Sequence, residues 1–226
     1  MKPLPILRNT WAAIFIAVIQ LLITFLVIYI PAGALTIGLH LSANATVPVT
    51  ILVTFVTACL LMGWHIRRLT DTVRTFGLQW PAWRYLGYTL IFAIPFAVLA
   101  AWLTSYFKES ASPLAGLHLA PWQSYLYFVV AASIQEETIF RGLLQSTLAR
   151  HLAAIPPCPA ASGVIAMFCV ALLFGLIHLV VGPVTAVFAF VLAVIAGELR
   201  RRSTSLLPAI ICHSIFNLAG ILWVSR

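Results

Sequence analysis

Seven apolar runs of membrane-crossing length, separated by short polar stretches, constrain this chain more than any other feature. They fall at about 11–30, 46–64, 86–107, 121–149, 162–181, 184–199 and 205–224. A bilayer core takes about 17–25 predominantly apolar residues per helix. The sixth run is short and the fourth turns polar in its second half, so six or eight spans are the neighbouring counts. Only 8% of the 226 residues are charged, against about 25% in soluble domains. That balance excludes a soluble globular domain, a disordered chain and a small disulfide scaffold. The expected fold is all-α: a polytopic transmembrane helical bundle, with residues 1–226 as a single membrane domain.

The net charge of +8 does not point to nucleic acid, because the basic residues lie mostly between apolar runs. With the N-terminus cytoplasmic, Lys2, Arg8, Arg67, Arg68, Arg74, Arg84, Arg150 and Arg200–Arg202 fall inside. Only Lys108 and Arg226 fall outside. This is the bias that sets topology, and it favours an odd number of spans. Trp11, Trp64, Trp102, Trp122 and Trp223 stand near span ends, as interfacial aromatics do. The first run is longer than the 7–15 apolar residues of a secretory signal, so it is expected to be retained as a span. Asn44-Ala45-Thr46 is a glycosylation sequon on the outer side. Residues 65–84 interleave basic and aromatic side chains and read as a cytoplasmic loop lying in the interface. Cys59, Cys158, Cys169 and Cys212 show no CxxC spacing, which argues against a disulfide framework or a zinc site built on cysteine. Pro95 falls within the third run and is expected to kink it.

Ionisable groups within membrane helices are costly, so each is a functional hypothesis. The acids are Asp71, Glu109, Glu136, Glu137 and Glu198. Asp71 and Glu109 fall in loops, and Glu198 has Arg200–Arg202 beside it at an inner helix end. Glu137 and Arg141 are spaced i, i+4 with the acid first, the favourable order for an ion pair on one helix face. Glu136 points about 100° away and has no such partner on its own helix. An unpaired carboxyl there can act as a general base or acid. The other arrangement has both acids sharing Arg141 in a structural network.

His213 and Asn217 share one helix face, and so do Phe174 and His178. At a rise of about 1.5 Å per residue, Glu136, His178, His213 and Asn217 lie roughly 20, 24, 12 and 18 Å from the inner ends of their spans. One mid-membrane layer can hold all four. Missing residues narrow the chemistry. There is no His-Glu-x-x-His run, no intramembrane Asp and no Gly-x-Ser-x-Gly turn. What remains is a carboxylate with His178, able to deprotonate a water, and His213 with Asn217, able to stabilise an oxyanion.

Gln135-Glu136-Glu137-Thr138-Ile139-Phe140-Arg141-Gly142 resembles the Glu-Glu-x-x-x-Arg motif of the CPBP family. That family includes CAAX prenyl endoproteases and bacteriocin-processing or self-immunity proteins. Phe174 to His178 is similar to its Phe-x-x-x-His motif, and His213 to Asn217 to its His-x-x-x-Asn motif. The motifs stand in the family's order within a catalytic core of residues 121–224. Residues 1–107, the first three spans, carry none.

The resemblance implies an intramembrane glutamic endopeptidase that hydrolyses a peptide bond of a membrane-associated protein or peptide. Glu136 and His178 would activate water, His213 and Asn217 would form the oxyanion hole, and Glu137 with Arg141 would support the site. No cofactor is required by this scheme. A Glu/His/His set can also take zinc with an open position, so a zinc site at Glu136, His178 and His213 is the alternative chemistry. A non-proteolytic scaffold or self-immunity protein of the same fold is the alternative function. A proton-coupled transporter would use the same groups as a relay, but no inverted repeat is visible. The bilayer and a peptide or protein substrate are the expected partners, without nucleic acid. The expected location is the bacterial inner membrane.

Overall fold

The structure, a computed structural model, describes residues 10–68, 72–107, 117–155 and 160–224. Lys2, Arg8, Asp71, Lys108, Glu109, Cys158 and Arg226 lie outside the described residues, as does the side chain of Trp11. Among the described residues there are seven helical rods and no strand. They are α1 (Thr10–Gly38), α2 (Ala43–Arg68), α3 (Trp83–Tyr106), α4 (residues 121–153), α5 (Ser162–Ile177), α6 (Pro183–Ser203) and α7 (Leu207–Val224). The all-helical reading and the count of about seven hold. Five of the rods are long and apolar enough to cross a membrane; α7 is apolar but shorter.

The boundaries moved where a local signal was misleading. α1 continues through Pro31 to Gly38, well past the expected end at residue 30, because its apolar run simply continues. α6 reaches Ser203 over 21 residues. The sixth span looked short only because its last turn is basic. Pro95 lies inside α3 without interrupting it.

Side chains sort as a membrane bundle requires. Phe15, Ile23, Leu52, Leu60, Ile91, Phe92, Phe168 and Leu172 are exposed on the outside of the rods. Such an apolar exterior suits lipid contact rather than water. Trp64, Trp102 and Trp122 are exposed near helix ends. The rods meet through small residues: Ala93, Ala97, Ala100, Ala166, Ala171, Ala189, Ala193 and Ala196 are all buried. Close backbone approach drives helix association in lipid. Gly175 shows how tight it is, since a Cβ there would stand 2.9 Å from Phe190 Cβ and 3.1 Å from the Ala186 carbonyl oxygen.

The basic helix ends gather at one end of the bundle. Arg150 Nη2 stands 3.5 Å from His65 Nδ1, and Arg200 donates to the Thr75 carbonyl at 2.9 Å and to Ser146 Oγ at 3.3 Å. At the other end, Asn44 exchanges two hydrogen bonds with the backbone of His118, so the sequon's side chain is tied down. The loop after α2 departs from the expected interfacial lie. Its middle is docked on the bundle: Phe76 is fully buried, Gly77 O accepts from Leu206 N at 2.9 Å, and Gln79 Nε2 donates to Thr204 O at 2.9 Å. Gly77 adopts φ +82° directly against the Arg200 guanidinium, a conformation and a clearance that fit glycine. Trp80 and Trp83 remain exposed.

Candidate active site

α4 is the axis of the site, and its helical geometry changes along its length. α-Helical turns at Pro121–Ser124, Ser133–Glu137 and Ser146–Ala153 alternate with π-helical stretches at Tyr125–Ala132 and Thr138–Gln145. Wide turns of this kind are rare and concentrate at functional sites. Here they bracket the five-residue α segment that carries Gln135, Glu136 and Glu137. Every residue from Glu137 to Gln145 is buried, so this part of α4 faces protein on all sides.

The two adjacent acids have different surroundings. Glu137 is fully buried, with Oε2 3.1 Å from Arg141 Nε and Oε1 2.8 Å from His213 Nδ1. A carboxylate oxygen accepts, so the Nδ1–H of His213 donates to it. Glu136 does not share Arg141. Its Oε2 is buried without a hydrogen bond and lies 3.8 Å from His213 Nε2, too far for one. Its side chain is 24% exposed against none for Glu137, so Glu136 is the carboxylate that an incoming molecule can reach. His213 on α7 therefore bridges the pair, with one ring nitrogen on each acid.

Phe174 is the second organising element. Its ring stands 4.5 Å from His178, 5.9 Å from His213 and 4.8 Å from Phe140, measured between centroids. The Arg141 guanidinium lies 4.8 Å from the same ring. Arg141 Nη1 and Nη2 have no hydrogen-bond acceptor, and the aromatic face meets part of that charge. At the end of α5 the chain tightens into a 3₁₀ turn, His178–Val180. His178 Nδ1 there lies 2.7 Å from the Phe174 carbonyl oxygen. A carbonyl only accepts, so Nδ1 carries the proton and Nε2 is left as the lone-pair nitrogen of the neutral ring.

Asn217 stands on the same face of α7 as His213, but its amide is committed elsewhere. Nδ2 donates to the Phe128 carbonyl at 2.8 Å and contacts Ser133 Oγ at 3.3 Å. Both partners lie on α4, at its first π-helical stretch and the residue after it. In this structure Asn217 clamps α4 to α7, whereas an oxyanion role needs that amide to be released. Among the described residues, no three His, Cys, Asp or Glu side chains stand close enough together to hold a metal ion.

Two residues of the site carried no signal of their own in the sequence. Phe174 belongs to a motif but reads as an ordinary core aromatic until its four neighbours are seen around it. Tyr29 lies on α1, far from any motif. Its side chain is partly buried and lies beside Gln135 and near Glu136.

Residues 118–219 match the protein family described as Rce1-like: type II CAAX prenyl endopeptidase Rce1-like. The match is just under half of the chain, and it contains all three motifs. The resemblance of the motif-bearing segment to the CAAX protease family is thereby shown, and it supports an intramembrane endopeptidase in general. No curated protein and no solved structure matches the chain.

Proposed function

We propose that the chain is an intramembrane endopeptidase in which Glu136 is the general base that activates water against a peptide carbonyl. One observation carries this reading beyond the family match. Both acids keep an Oε2 without a hydrogen bond, but Glu137 is wholly enclosed, ion-paired with Arg141 and hydrogen-bonded by His213, whereas Glu136 is partly exposed and stands beside His213 Nε2.

The remaining roles follow from which atoms are already engaged. Glu136 takes one proton from the attacking water and returns it to the leaving amine as the C–N bond breaks, while His178 assists by accepting a hydrogen bond from that water through Nε2. A His213 ring protonated on both nitrogens gives Nδ1–H to Glu137 and presents Nε2–H to the developing oxyanion. Glu137 and Arg141 hold that ring in place. Asn217 joins the oxyanion hole if substrate binding draws its amide away from Phe128. The low-dielectric surroundings strengthen each of these interactions. The substrate is a membrane-associated peptide or protein, because the reacting groups sit within a bundle whose exterior is apolar.

The test is cleavage of a membrane-associated peptide by the full chain in vesicles, with and without a strong chelator. Glu136→Gln should lose about 10²–10⁴-fold in rate, the usual contribution of a general base, with helicity and melting unchanged. Full activity in that variant overturns the mechanism. Loss of wild-type activity in chelator, restored by zinc, replaces it with metal chemistry. A protection phenotype that survives loss of Glu136, His178 and His213 would favour a non-proteolytic role.

A further inference from the structure

A cavity lies away from the Glu136–His213 pair, between α3 and α6. Both helices pack against α7 and touch each other much less. They meet where the Phe96 ring of α3 stands 5.8 Å from Phe188 of α6 and 5.7 Å from Phe216 of α7. Toward the basic end of the bundle they part, leaving a gap of about 680 Å³. That volume is within the usual range of ligand pockets, about 300–1,000 Å³. Its walls are Tyr85, Tyr88 and Phe92 of α3 and Val194, Ile195 and Leu199 of α6. The span from Arg84 to Phe92 is about 12 Å at helical rise.

Charge at the mouth selects the occupant. Arg84, Glu198 and Arg202 form the rim. Glu198 binds both Arg201 and Arg202, whose side chains are 37% and 65% exposed. Arg84 lies over the Tyr85 ring at 5.2 Å and makes no ion pair among the described residues. Two guanidiniums therefore face one carboxylate at the rim, with Arg201 beside them, at the end of the bundle that the basic bias assigns to the cytoplasm. Guanidinium groups pair well with phosphate, and basic pockets between membrane helices on that side suit anionic headgroups.

We propose that this gap binds an anionic phospholipid of the inner leaflet, with one acyl chain between α3 and α6 and its phosphate held by Arg84 and Arg202. A zwitterionic lipid brings a cation of its own toward the same arginines. A soluble phosphate leaves the apolar walls unfilled.

Native mass spectrometry of the full chain, with phosphatidylglycerol or phosphatidylcholine of matched chains added, tests this. The expected result is preferential retention of phosphatidylglycerol, reduced about thirtyfold in the double variant Arg84→Gln/Arg202→Gln, the loss expected for two surface cations. Val194→Trp, which fills the wall, should lower retention as well. Both arginines are exposed, so the glutamine variant remains decisive if Val194→Trp melts early. Equal retention of the two lipids, or unchanged retention in the glutamine variant, overturns the site. So does full displacement by soluble glycerol phosphate, or unchanged retention in a Val194→Trp variant that is normally folded, because either reduces it to a surface phosphate contact.

Discussion

Two glutamate–arginine clusters in this molecule share a spacing and differ in everything else. Glu137 and Arg141 on α4 are i, i+4, and so are Glu198 and Arg202 on α6. The first pair is 0% and 1% exposed; the second is 31% and 65% exposed. At the surface, water screens the charges and the pair contributes little. In the core, each partner removed leaves the other as an uncompensated charge. The buried cluster also recruits His213, and through it reaches Glu136, so its geometry becomes part of the site. Spacing determines that such a pair can form, while burial determines what depends on it.

The largest effect that separates the regions concerns activity alone. His213→Ala should abolish cleavage in the vesicle assay, as Glu136→Gln should, because it removes a side chain that faces both acids. If the alanine variant keeps more than about a tenth of the activity, the oxyanion assignment fails. Next in size is Arg141→Ala, which strands Glu137 in the core. It should lower stability by about 3–5 kcal/mol, read as a large drop in melting temperature. A change below about 1 kcal/mol would show that the buried and exposed clusters are equivalent after all.

An intermediate effect is expected from Tyr29→Phe, which removes a hydroxyl from beside Gln135 and Glu136 with little change in shape. Its loss should cost about 0.5–1.5 kcal/mol, appearing as a several-fold fall in cleavage rate without loss of fold. An unchanged rate would remove α1 from the site. The smallest effect belongs to Glu198→Ala. Melting should shift by no more than about 0.5 kcal/mol, and cleavage should not change.

Much of the architecture was legible from local pattern. Length of apolar run sets the number of rods, and the basic bias matches the clustering of Arg150, Arg200 and His65 at one end. The Glu137–Arg141 pair followed from helical spacing, which α4 keeps despite its π-helical turns. The Glu198 pairing was legible for the same reason. The depth estimate brought Glu136 and His213 into one layer, where they do meet. It did not reveal that Asn217 spends its amide on Phe128, because that depends on the path of another helix's backbone. Nor did it reveal the docked loop around Phe76, where an aromatic among basic residues resembles an interfacial anchor until Gly77 is seen turning beneath Arg200.

The sequence alone determined that this chain is a helical membrane protein, where its apolar helices lie, which end is basic, and that Glu137 has a partner on its own helix while Glu136 has none. These are properties of composition and of neighbours within one or two turns, where a regular backbone makes distance a function of residue number. The tertiary structure alone decided that His213 spans both acids, that His213 and Arg141 join His178 around the Phe174 ring, and that a motif-free helix supplies Tyr29. Such contacts join residues more than thirty positions apart, and they exist only because small residues let the rods approach closely enough for those side chains to meet.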